Sequence, residues 1–471
     1  MFILKSVFYF LAALVVLVGF HELGHFLAAR LCGVRVLRFS LGFGRVLFSR
    51  RGKDGCEYAL SLIPLGGYVK MLDLREGEVP PEEMDQEFSS RSVWKRLFIV
   101  AAGPLFNIIL AFFLYWGMFV MGVAAVQPYV TGIHAGSAAW QAGLRNDDLL
   151  LRVGDYPVLD WEDGIYEFIQ QVGSGSLELE VRRQDGSQGL VTLDLSGWSI
   201  HRDQGADIFR PLGFSPKYHN LTRRIAAVQE GSPAEKAGIR PGDQVAAADG
   251  VPLDSWFDFS HVVEEHPGRE FTLTVSRPAA PEGGELPEDP RELDRLPQEQ
   301  VVLKVTPESV PEAGGGSRGR LGVAVAALPL DEGVRFVRKY GPVEAVGKSL
   351  EKMAAVTRLT VVTLWKLITG DIAADNISGP IAIAKSAGVT ASIGLEYFLG
   401  FMALISINLG IMNLFPLPVL DGGHIAFYVL EALAGRPLPD RVMQGLMYFG
   451  IFVLLLIMTL AVYNDIVFDG F

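Results

Sequence analysis

VFYFLAALVVLVGFHELGH, residues 7–25, decides how the rest of the chain is read. It opens as an uninterrupted apolar run and closes on two histidines and a glutamate, as a membrane-spanning helix carrying a reactive end would. His21 and His25 are spaced i,i+4, which on a helix sets them on one face about 6 Å apart along the axis. Both imidazoles can then hold one metal ion. Glu22 is too close to the first ligand to be a third one, and it is placed to accept a proton from water at that metal. Ionisable side chains inside an apolar span are costly, so this cluster calls for a shared function, and the HExxH pattern is that of a metalloprotease.

The chain has 471 residues, is 50% hydrophobic and 10% aromatic, and has a positive mean hydropathy. These values imply several domains, some of them in a membrane. A net charge of -12 with no broad basic patch excludes a general nucleic-acid binder. The two cysteines, Cys32 and Cys56, both precede the second apolar span, so disulfides cannot hold the polar middle of the chain.

Four spans are expected, over residues 6–29, 97–123, 395–415 and 442–463. The first resembles a signal peptide with Lys5 as its charged start, but no small-residue cleavage site follows and HELGH continues the helix. Arg30, Arg35 and Arg38 flank the end of the first span, and Arg91, Lys95 and Arg96 the start of the second. The positive-inside rule puts this loop in the cytoplasm, and the amino terminus and the region between spans two and three outside. The first and third spans then end on the same, inner side.

A third metal ligand is therefore expected near the inner end of the third span. The sequence there is NLFPLPVLDGGH, residues 413–424. Asp421 is an acid in an otherwise uncharged apolar setting, and Pro416 and Pro418 break the helix before it. Two His and one Asp with an open position suit a catalytic zinc site. Asp-Gly is also an ordinary helix-ending turn, and His424 is a competing ligand. In the second span, Gly103 allows close helix approach, and Asn107 is expected to face the site and contact substrate.

HELGH in the first span, GPLFN (residues 103–107) in the second and NLFPLPVLDGG at the third resemble the site-2 protease family of intramembrane zinc metalloproteases, over nearly the whole chain. The resemblance implies one Zn2+ held by His21, His25 and Asp421, with Glu22 as catalytic base. It further implies that Asn413, Pro416 and Pro418 bind substrate. The implied substrates are single-span membrane proteins, such as an anti-sigma factor already shortened by another protease, and remnant signal peptides. A bacterial inner-membrane location and a stress-response role go with them.

Between the first two spans, residues 39–48 and 58–63 alternate in polarity around Arg51-Gly52-Lys53-Asp54-Gly55 and read as a β-hairpin. Such a hairpin, re-entrant in the family, offers a strand edge to an unwound substrate. Gly66-Gly67-Tyr68 is expected to turn the chain back. Residues 76–87 read as a solvated acidic linker.

The outside region contains an internal repeat. Residues 133–145 align without gaps to residues 228–240, and the match continues through Asp148 with Asp243, Pro157 with Pro252 and Trp161 with Trp256. Each copy resembles a PDZ domain, and Leu212-Gly213-Phe214 is echoed by Leu321-Gly322-Val323. Asn146-Asp147 stands in the first copy where Pro241-Gly242 stands in the second, which leaves the first copy's turn open. Such domains can bind a carboxyl terminus or exclude bulky substrates. Residues 278–300 read as a disordered acidic insertion and 313–317 as a flexible linker. Residues 343–369 read as a helix at the membrane interface, and 376–388 as a surface connector or substrate gate.

The expected architecture is a polytopic α-helical membrane protein with a membrane-associated hairpin and two inserted α/β PDZ-like domains. Its parts are residues 1–124 (first two spans and hairpin), 125–220 and 221–310 (PDZ-like), 311–394 (linker and interfacial helices) and 395–471 (last two spans). Two other readings compete with the protease. A non-catalytic PDZ adaptor with a structural metal would need no Glu22. A metal transporter would show repeats among its spans, whereas the repeat here lies outside the membrane.

Overall fold

The computed structural model of the chain describes residues 2–75, 77–134, 136–200, 208–279, 286–287, 289–311 and 316–469. Two compact units divide it, one from Met1–Val123, Val337–Ile368 and Ala374–Phe471, the other from Ala124–Phe336 and Thr369–Ala373.

The first unit contains α1 (Phe2–Leu31), β1 (Val36–Arg51), β2 (Glu57–Met71), α2 (Val93–Met121), α3 (Pro342–Thr369), α4 (Pro380–Ile393), α5 (Leu395–Leu414), α6 (Asp421–Ala434) and α7 (Asp440–Asn464). Among the described residues four helices are long and apolar enough to cross a membrane: Ile3–Leu31, Val93–Met121, Leu395–Leu414 and Arg441–Phe468. They coincide with the expected spans. On α7, Phe449, Phe452, Leu455 and Leu456 point outward, as side chains meant for lipid do.

The hairpin forms, with longer strands than expected. β1 and β2 pair antiparallel, Arg51 opposite Glu57 and Leu41 opposite Gly67, and residues 38–41 are matched both with 57–60 and with 67–70. Each strand therefore bends back on itself. The reversal expected at Gly66-Gly67-Tyr68 comes just before it, since Gly67 and Tyr68 already pair with Leu41 and Ser40.

Residues 76–87 correct the reading of a merely solvated linker. Residues Pro81–Gln86 make a 3-10 turn, and Glu87 is fully buried. Its carboxylate accepts hydrogen bonds from the amides of Leu74 (3.0 Å), Ser89 (2.7 Å) and Ser90 (2.6 Å). Burial alone would raise its pKa, but the Ser89 hydroxyl and these amides outweigh burial and push it down to about 2.

The helix expected over residues 343–369 forms as α3, burying Ala345, Ser349, Lys352 and Val356 along one stripe. Thr360 Oγ1 donates to Asn408 Oδ1 of α5 at 2.7 Å. Residues 376–388 are more than a surface connector, because most of them belong to α4. Gly388 lies against Ser6 of α1, and the amides of Gly379, Ile381 and Ala382 donate to the Asp465 carboxylate at 2.8, 3.0 and 3.1 Å.

In the second unit the repeat seen in the sequence is a repeat of structure. The first copy runs through strands Leu149–Val153 and Tyr156–Pro157, helix Trp161–Gln171, then strands Ser176–Arg182 and Gln188–Asp194. In the second copy the same order is Gln244–Ala248, Val251–Pro252, Trp256–Glu265, Phe271–Pro278 and Gln298–Val305. Both sheets pair antiparallel in the same sequence of neighbours. Ser137 and Ser232 cap the corresponding short helices, accepting from the amides of Trp140 (3.1 Å) and Glu235 (3.3 Å). Alternation along the strands fills each core with Leu150, Leu179 and Val181 in the first copy and Val245, Leu273 and Val275 in the second, and the helices add Phe168 and Phe259.

Two expectations of disorder are corrected in part. Within residues 278–300, Asp289 caps the helical turn Pro290–Leu293, Leu293 is buried, and strand Gln298–Val305 begins. Residues 280–285 and 288 of that insertion lie outside the described residues. Of the expected linker 313–317, residues 313–315 lie outside them, and Ser317 already opens strand Ser317–Arg320, paired with Glu308–Pro311.

Candidate metal centre

Helical spacing puts His21 and His25 on one face of α1, and α2 forms the plate behind them. A Cβ on Gly24 would lie 2.4 Å from the carbonyl oxygen of Ala102, and one on Gly103 would lie 2.3 Å from His25 Nε2. Only glycine lets the two helices and the two rings share this space.

Asp421 arrives from the other end of the chain. Helix α5 stops at Leu414, and Phe415 takes extended backbone ahead of Pro416 and Pro418. The chain then wraps so tightly that a Cβ on Gly422 would lie 2.3 Å from the carbonyl oxygens of Leu414 and Phe415. Asp421 opens α6, where a carboxylate is favoured by the helix dipole. Arg96 of α2 holds α6 in place through Glu431, with Nη2 2.6 Å and Nη1 3.1 Å from the carboxylate oxygens. The Arg96 guanidinium also lies over the Tyr428 ring, 4.8 Å from its centroid.

Three donor atoms converge as a result. His21 Nε2 is 3.2 Å from His25 Nε2 and 3.2 Å from Asp421 Oδ2, and His25 Nε2 is 3.5 Å from the same oxygen. Four ligands about 2.0–2.1 Å from zinc at tetrahedral angles stand about 3.3 Å apart, so these edges fit a zinc ion. Asp421 Oδ2 is buried and makes no well-formed hydrogen bond among the described residues. That is the state of an oxygen aimed at a cation. His424 stays outside this cluster.

Glu22 is buried next to His21, and β2 covers it: a Cβ on Gly67 would lie 2.8 Å from Glu22 Cγ. The hairpin thus lies directly on the acid, a contact that no sequence pattern announced. Asn107 is fully buried with its amide 3.2 Å from His21 Nδ1, so it reaches the cluster through that ring. Asn413 is half-buried on the last turn of α5, and Pro416 is exposed just beyond it. Pro418 is buried, within reach of Gly450 on α7. Arg96 was legible only as a charge that orients the loop, because its partner Glu431 is distant in the chain and neither has a local signature. The arrangement sets three donor atoms that could hold a metal ion beside a buried carboxylate, a combination suited to metal-assisted hydrolysis.

Comparison with known proteins agrees. Peptidase family M50 matches residues 9–457. The chain is 41% identical over 457 residues to the regulator of sigma-E protease RseP of Escherichia coli (strain K12), covering 97% of each chain. It is 40% identical over 467 residues to protease RseP of Yersinia pestis, covering 99% of each. A Vibrio cholerae protein whose name includes zinc metalloprotease is 38% identical over 458 residues, covering 97% of each.

Proposed function

The chain belongs to peptidase family M50, the zinc metalloproteases of the site-2 type, and from that membership we propose that it cleaves single-pass membrane proteins at one zinc ion held by His21, His25 and Asp421. The triangle of donor atoms with zinc-like edges beside Glu22 carries this reading. Zinc bound there supplies Lewis acidity to the scissile carbonyl and lowers the pKa of water. Glu22 accepts the proton of the attacking water and delivers it to the leaving amine. A structural metal site has no use for such a base, which argues against the adaptor.

A helical substrate shields its own peptide bonds, so it has to be unwound before attack. The β1–β2 hairpin, with Phe43, Leu47, Phe48, Leu60 and Leu62 exposed, offers backbone edges for strand addition in an apolar setting. Asn413 at the end of α5, with Pro416 and Pro418 in the segment that leads to Asp421, contacts the unwound substrate. The duplicated domains are PDZ-like and lie outside with the amino terminus, where they bind trimmed carboxyl termini or exclude bulky substrates. One substrate is an anti-sigma factor shortened by another protease, a reading in keeping with the name of a relative as a regulator of sigma-E. Remnant signal peptides are a second class.

The test is cleavage of a purified single-span substrate by the detergent-solubilised protein. Glu22→Gln is expected to lower the rate by about 10²–10⁴-fold while zinc is retained. A Glu22→Gln protein that cleaves like wild type overturns the assignment of base and site together.

A further inference from the structure

The two imidazoles of the centre differ in what holds their second nitrogen. His25 Nδ1 lies 2.9 Å from the carbonyl oxygen of Ile99, which only accepts, so this nitrogen donates and Nε2 turns its lone pair to the cluster. His21 Nδ1 instead faces the Asn107 side-chain amide, whose nitrogen lies at 3.2 Å. An amide nitrogen also only donates. In that orientation His21 would carry its hydrogen on Nε2, aimed at His25 Nε2 and Asp421 Oδ2 and blocking the metal position.

The amide itself points to the remedy. Asn107 is 0% exposed, and among the described residues its Oδ1 has no hydrogen-bond partner. A half-turn about the Cβ–Cγ bond exchanges oxygen and nitrogen with almost no change of shape. Oδ1 then accepts from His21 Nδ1–H, and the Nε2 lone pair joins those of His25 and Asp421. The backbone around Asn107 is pinned for this purpose: Ser406 Oγ of α5 donates to its carbonyl oxygen at 2.7 Å.

We propose that Asn107 is a positioning residue of the metal centre, its Oδ1 fixing the tautomer and ring plane of His21 as the Ile99 carbonyl fixes those of His25. Resting on the zinc site argued above, this replaces the substrate contact expected for Asn107. A side chain with no exposed surface that already faces His21 has nothing to offer a substrate. The carbonyl of Ile99 cannot be mutated away, so Asn107 is the orienting group open to test.

The experiment measures zinc affinity of the full-length, metal-stripped protein in detergent by competition with a chromophoric chelator, together with the visible spectrum of the Co2+ form. Asn107→Leu keeps the volume without an acceptor, while Asn107→Asp supplies acceptor oxygens alone. Asn107→Leu is expected to weaken zinc binding by about 10- to 100-fold and to shift the Co2+ spectrum, and Asn107→Asp to bind nearly as wild type does. Asn107→Ala, also without an acceptor, substitutes if the leucine variant does not fold. Wild-type affinity in Asn107→Leu, or equal loss in the leucine and aspartate variants, overturns the proposal while leaving the zinc site standing. A wild-type protein that takes up no zinc at this site overturns the site itself and this role with it.

Discussion

Glycine does one job at the metal centre and another at the aligned turns of the two repeats, and the difference shows what kind of information each place needs. Around the metal centre, Gly24, Gly67, Gly103 and Gly422 are required for what they lack, because an added Cβ at each would strike a neighbour less than 3 Å away. At the aligned turns of the repeats the requirement is backbone conformation. Gly242 adopts φ 92° with no contact that forbids a side chain, and the aligned Asp147 adopts φ 66° in the first copy. The turn left open by the Asn146-Asp147 departure is thus conserved, with the left-handed strain borne by an aspartate whose carboxylate accepts from Gln184 at 3.0 Å and pairs with Lys217. Close approach depends on which distant segment arrives, whereas a turn depends on residues next to one another.

Charge follows the same division. Asp148 and Asp243 are each buried against an arginine of their own copy, Arg183 and Arg277. In the membrane unit, Arg96 and Glu431 meet from α2 and α6.

The largest effect should come from Gly103→Ala. Alanine favours the helix by about 1 kcal/mol, yet its Cβ displaces the His25 ring, so helicity by circular dichroism should hold while zinc content and cleavage collapse. Intact zinc binding in that variant would break the comparison at its centre. Next comes Arg96→Ala, which leaves the half-buried Glu431 without this partner. It is expected to destabilise the membrane unit by about 2–3 kcal/mol in a denaturant titration of the full-length protein, and a change near zero would remove this pair from the support of the site. Gly242→Ala should cost only about 1–2 kcal/mol, seen as faster amide exchange confined to the second copy's turn. Asp147→Gly should change the first copy's turn by less than that, since relief of strain offsets a lost surface pair.

A separate effect concerns pH. Glu87 has its carboxyl lowered from the ordinary 4.5 to about 2 in the folded chain, so its stabilising contribution is complete above about pH 4.5 and is lost as pH falls toward 2. Wild type should be more stable than Glu87→Gln at neutral pH, with the gap closing in acid. A gap that widens on acidification would reverse the sign of this linkage.

The four spans, the hairpin and the repeat were legible in the sequence because each is written in neighbouring residues: apolar runs of bilayer length, alternation around a glycine turn, and a second copy in register. Glu87 was missed for the opposite reason. An acidic, proline-bearing stretch looks solvated, and only the fold brings the amides of Leu74, Ser89 and Ser90 around one carboxylate. In the insertion at 278–300 composition hid a buried anchor, Leu293.

At the site, HELGH by itself determined the pair of imidazoles on one helix face and the adjacent carboxylate, since helical spacing is a local property. The alternation of the spans was enough to expect Asp421 at the same end as HELGH, where it meets His21 and His25. Tertiary structure alone decided the rest: the 3.2–3.5 Å triangle of donors, the hairpin laid on Glu22 at Gly67, the Arg96–Glu431 brace and the Asn107 amide behind His21. These contacts join segments far apart in the chain at distances set by packing to tenths of an ångström, and no local pattern of residues encodes which distant partner completes them.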